Sequence, residues 1–149
     1  MARPIRSDPR EGQWLMMHAA ASLVDVTRNR LLEGWAKSRG SDGDGLCLVM
    51  ALTEAAGGEF LDIAEADRLY ADSAPFQIAN DAIGAALAAI LFRNGPLPRQ
   101  AKEGDRHALW ILNDRRETTI SMVIDACETA AFTLRTQSMP LAEQVSISG

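Results

Sequence analysis

Cysteine is scarce in this chain of 149 residues: only Cys47 and Cys127 occur, and they stand far apart. Their scarcity excludes a disulfide-stapled scaffold, and the spacing excludes a thiolate zinc cluster, which pairs its ligands closely. Each cysteine falls inside an apolar helical pattern, so both are read as small buried hydrophobes of a reducing compartment. Aromatic residues are also few, with three Trp, four Phe and one Tyr. Such a stock suits close helix packing better than a sandwich of aromatic and β-branched strands. Lysine is limited to Lys37 and Lys102 against thirteen arginines, a compositional hint of a bacterial or phage source. No apolar run approaches the roughly 20 residues of a membrane span. Pro4, Ser7, Asp8 and Pro9 interrupt any leader-like start. A cytoplasmic protein without a membrane partner is expected.

What is present is an alanine-rich apolar fraction: 47% of residues are hydrophobic and 23% charged, the balance of an ordinary globular domain. The length is that of one domain, able to bury roughly two-thirds of its unfolded surface without staples. The expectation is an all-α, compact single domain of five or six helices. Residues 1–7 read as a flexible N-terminal arm, 8–135 as the helical domain and 136–149 as a flexible C-terminal tail.

Charge is distributed unevenly. The net charge of −5 divides into +3 over residues 1–40, −8 over 41–92 and zero beyond. An acidic middle repels phosphate, which disfavours nucleic acid as a partner, and only the basic N-terminal arm could reach a backbone. A partner protein with a basic surface fits better, and a homodimer is allowed.

Along the chain, Asp8-Pro9-Arg10-Glu11 predicts a helix start, with Trp14, Met17, His18, Ala21 and Val24 on its inner face. Leu31 and Leu32 either extend that helix or form a second one. Residues 38–45 read as a loop that opens into an apolar helix from Leu46 to Leu52, ended by Gly57-Gly58. A short acidic helix follows from about Phe60 to Tyr70. Ser73-Ala74-Pro75 starts the next, which carries Phe76, Ala79, Ile83, Leu87, Ile90 and Leu91 inward until Asn94-Gly95-Pro96. His107 to Leu112 reads as a short helix rather than a lone strand. Thr119 then caps a core helix whose Ile120, Val123, Ile124, Cys127, Ala130, Ala131 and Leu134 recur at helical spacing. The helices of Cys47, Ile83 and Val123 are expected at the centre.

Two blocks stand out together. One is Leu31-Leu32-Glu33-Gly34-Trp35, a Gly/Asp-rich loop, then Gly45-Leu46-Cys47-Leu48-Val49-Met50-Ala51-Leu52 to Ala55-Ala56-Gly57. The other is Leu112-Asn113-Asp114, followed by Thr119, Val123 and Ala130. The pair resembles a family of small, mostly bacterial proteins described only as a domain of unknown function, over residues 31–131. Trp110 stands two residues ahead of that family's usual place, and Met50 replaces its usual glycine. The resemblance implies a compact helical domain and carries no activity.

Three chemistries merit weighing. Cys47 at a helix start, His107, and Asn113 or Asp114 have the chain order of a thiol hydrolase or transferase, with loop amides as an oxyanion hole. Cys47 nevertheless lacks the polar flank such a nucleophile needs, which favours a core thiol. Asp42-Gly43-Asp44-Gly45 begins like a calcium loop, but its twelfth position is Thr53 instead of glutamate, so no metal is expected. Gly40 to Gly45 follows no strand and offers no phosphate cradle or cofactor site. Asp114, Arg115 and Arg116, together with Asp62 and Glu65, are the candidate binding residues, against a reading in which Asn113 and Asp114 cap backbone amides. The expectation is thus a small regulatory or protein-interaction module without catalytic activity. The alternatives are the Cys47/His107 enzyme and a DNA-associated regulator using the N-terminal arm.

Overall fold

Helix α1 begins at Pro9, whose missing N–H costs nothing in a first turn, and continues unbroken to Glu33. Leu31 and Leu32 therefore belong to it. The computed structural model describes residues 9–36, 41–42, 45–58, 63–93 and 108–138. Within them lie α1 (Pro9–Glu33), β1 (Ser41–Asp42), β2 (Gly45–Leu46), α2 (Leu48–Ala55), α3 (Ile63–Asp72), α4 (Ala74–Leu91), α5 (Ala108–Asn113) and α6 (Ile120–Ser138). The fold is all-α, with six helices among the described residues. The expected N-terminal arm and most of the expected tail lie outside those residues.

Strands β1 and β2 are a two-residue antiparallel ladder pairing Ser41 with Leu46 and Asp42 with Gly45. Residues 38–45 are thus not all loop, and α2 begins at Leu48, after Leu46 has joined β2. Leu46 also bridges to Trp35 in parallel, through Ala36 N to Leu46 O and Leu46 N to Gly34 O, both 3.1 Å. At its far end α2 closes in a Schellman motif: Gly58 N donates to Thr53 O, and Gly57, at φ +84°, donates to Glu54 O. The pair Gly57-Gly58 acts as the sequence predicts. A Cβ on Gly58 would stand about 3 Å from Glu65 Oε1, so α3 packs directly on this turn.

Helices α1, α4 and α6 pack on one another at the centre, α2 lies against α1, and α3 leans on α4. The expected central set is therefore corrected, with α1 taking the place assigned to α2. The reason is length: α1 lays Ala20, Ala21, Val24, Thr27 and Leu31, all buried, along both neighbours, whereas α2 is only eight residues long. Phe76, Ala79, Ile83 and Leu87 face them from α4, and Val123, Ala126, Cys127, Ala130 and Leu134 from α6. Alanines in these stripes allow close axial approach. Ser73 caps α4 by accepting from Phe76 N at 3.3 Å, and Thr119 caps α6 by accepting from Met122 N at 3.3 Å.

Three inward assignments are corrected. Trp14, His18 and Ile120 lie at the surface, with Trp14 and His18 stacked at a centroid distance of 5.7 Å. The ion pairs Arg28–Glu128 and Asp25–Arg135 show α1 and α6 to be antiparallel, which carries the first turns of α1 toward the C-terminal end of α6, beyond the densest packing. Over 18 residues α4 has a mean hydropathy of 1.3, long and apolar enough by those measures alone to cross a membrane. Its buried face is the one packed on α1 and α6.

Candidate functional site

The two conspicuous sequence blocks meet at one side chain. Asn113 ends α5 at zero exposure, one helical turn beyond buried Leu109 and next to buried Leu112. Its Oδ1 accepts from Trp35 Nε1 at 2.7 Å and from Leu48 N at 3.3 Å. Its Nδ2 donates to Ala36 O and Asp114 Oδ1, both at 3.1 Å. A primary amide has two acceptor sites and two donors, so every capacity of this group is used. One buried amide thereby joins the exit of α1, the start of α2 and the end of α5.

The contact with Leu48 has a local cause. Cys47 stands at the N-cap of α2 in extended conformation and makes no side-chain capping bond. A thiol is a poor acceptor, and Asn113, 65 residues downstream, takes over part of the capping role. Thr118 fastens the turn that follows, donating from Oγ1 to Leu112 O at 2.6 Å.

Of the proposed catalytic set, the structure brings Cys47 and Asn113 to the same junction, and His107 lies outside the described residues. Cys47 is 3% exposed, which denies a substrate access to its sulfur. Asn113 has no lone pair left to orient an imidazole, and the Leu48 amide is engaged rather than open as an oxyanion donor. Neither cysteine forms a disulfide. Among the described residues no group of three or more His, Cys, Asp or Glu is gathered as a metal would need.

Burial pushes the Cys127 thiol up to about 12 from its ordinary 9.0, partly offset by the nearby Arg28 charge. Such a group supports the fold fully below the unfolded thiol's value, and that support is lost as pH climbs from about 9 toward about 12. Urea melts between about pH 8 and about pH 11 should therefore show a steeper loss of stability in the native chain than in Cys127→Ala. Equal slopes would refute the assignment.

The candidate binding residues separate. Asp114 is half-buried and accepts from Asn113; Arg115 lies 4.6 Å from the centroid of the Phe92 ring and pairs with Glu117 at 3.2 Å. Arg116 is exposed on the same turn. Glu65 belongs to α3, where the Arg68 guanidinium at 2.6 Å holds its carboxyl below the ordinary range. Asp62 lies outside the described residues. Much of the acidic middle is already engaged: Glu54 faces Arg30 at 3.7 Å, and Asp81 accepts from Tyr70 at 3.1 Å. Asn113 does bond a backbone amide, that of Leu48, but on a different helix instead of within its own turn.

Two surface features escaped the sequence reading. Leu15, Ala19, Ser22 and Val26 are exposed at heptad spacing along α1. Asp25, Arg28, Glu128, Ala131, Phe132 and Arg135 line a cleft of about 460 Å³ between α1 and α6. Apolar residues on an exposed stripe break the helical amphipathic rule, which is the signal that could have found them.

Fold and junction together define a small helical domain whose conspicuous residues build a buried three-way tie. The chain belongs to the family of unknown function DUF6197, whose model matches residues 16–133. No curated protein and no solved structure matches it.

Proposed function

We propose that this protein is a cytoplasmic, non-catalytic module that regulates another protein by binding it through α1. The observation that carries the reading is the outward stripe of α1. Leu15 is 57% and Val26 52% exposed, with Ala19 and Ser22 between them at i+4 and i+7. An amphipathic helix offers such a stripe to an apolar groove on its partner. The partner best suited is a protein with an apolar groove for this stripe and a basic surface for the acidic segment of residues 41–92, since the third of the chain that holds α1 carries +3.

A photo-crosslinking amino acid placed at Val26 in the native cells tests this. The expected result is a discrete adduct with a different protein, lost when Leu15→Asp is added. An adduct-free gel, or one unaffected by Leu15→Asp, would overturn the proposal.

A further inference from the structure

We infer that the α1/α6 face, distinct from the Leu15–Val26 stripe, is a two-fold symmetric interface for a second copy of this chain. At its centre stands Phe132, 72% exposed, an aromatic ring presented to water beside buried Ala131. Around it lie four charges, two on each helix. On α1, Asp25 and Arg28 are neighbours one turn apart; on antiparallel α6, Arg135 and Glu128 stand opposite them. Arg28 Nε lies 3.0 Å from Glu128 Oε1, and Arg135 Nη1 lies 3.3 Å from Asp25 Oδ1, closing two ion pairs across the cleft.

The order of signs matters. Acid and base alternate around the four positions, so each neighbouring pair joins opposite charges. Turning a second copy over about an axis across the helices lays Asp25 on the partner's Arg28, and Arg135 on the partner's Glu128. This two-fold opposes unlike charges at all four positions, while Phe132, near the midpoint of Glu128 and Arg135 on α6, meets the partner's Phe132 near the axis. Such self-complementarity is what an isologous interface requires. The face is also neutral on a chain of net charge −5, so two copies meet there without the repulsion the acidic segment would impose. The half-exposed ion pairs set register and contribute little affinity; the ring contributes most of it.

Light scattering on the full chain during size exclusion, from about 1 to about 200 μM, tests the inference. The expected mass at the upper end is twice the 16.1 kDa of one chain. Phe132→Asp should weaken association by roughly tenfold or more, because a buried aromatic anchor is replaced by a charge facing its own mate. Its far-ultraviolet circular dichroism should stay unchanged, since the side chain points to solvent. A native chain monomeric throughout, or a dimer indifferent to Phe132→Asp, would overturn the inference. The Val26 adduct is told apart from this interface by its partner, a different protein instead of a second copy of the chain.

Discussion

Asn113→Ala should destabilise the domain by roughly 3–5 kcal/mol, since each buried polar group left without a partner costs about 1–3 kcal/mol. The groups stranded are the Trp35 indole N–H, the Leu48 amide and the Ala36 carbonyl, all previously satisfied by one side chain. Domains of this size hold only about 5–15 kcal/mol in total, so the melting temperature should fall by roughly 10 °C. Asn113→Leu separates hydrogen bonding from packing. It keeps the volume yet strands the same groups, and should be about as damaging as alanine. Trp35→Phe, which removes only the indole donor and leaves the ring, should cost about 1 kcal/mol. A leucine variant that melts with the native protein would show that packing alone holds the junction.

Phe76→Ala should cost a further class of energy, about 3–5 kcal/mol, by opening a cavity. Phe76 is a fully buried side chain in the first turn of α4, beneath the Ser73 cap and within the core shared by α1, α4 and α6. The removed ring forfeits both its transfer energy and the dispersion contacts that its neighbours cannot close around. Phe76→Leu keeps most of the volume and should cost roughly 1.5 kcal/mol or less. Denaturant midpoints at constant slope would measure both, and near-equal losses for Ala and Leu would argue against a cavity as the cause.

These two sites differ in how far the sequence reveals them. Phe76 begins a stripe with Ala79, Ile83 and Leu87 at helical spacing, behind a serine cap and a proline, so its inward placement follows from local rules. The start of α6 at Thr119 is equally local. Asn113 is different. Its buried face is signalled by Leu109, four residues before it in the helical pattern, but an asparagine next to an aspartate reads first as a chain break. Its partners lie 65 and 78 residues away, where no periodicity reaches. Trp14 and His18 failed in the opposite direction. They match the inner face by spacing, yet no described helix covers that end of α1, and spacing alone carries no information on where a neighbour stops. The ladder that pairs Ser41 with Leu46 has two residues on each side, too few for any alternation to mark it in the sequence. The cleft between α1 and α6 could not be read at all, since it needs the helices paired before Phe132 has a setting.

The Asn113 tie also governs how the chain can be divided. A fragment ending at Arg93 would retain Trp35 and Leu48 but lose the amide that connects them, and would uncover the sides of α1 and α4 that α6 now shields. A fragment beginning at Ala108 would hold that amide with nothing to bind. Length alone suggests two helical halves that could be inherited, swapped or expressed apart. The wiring makes them a single indivisible unit, in which the second half completes what the first half leaves open.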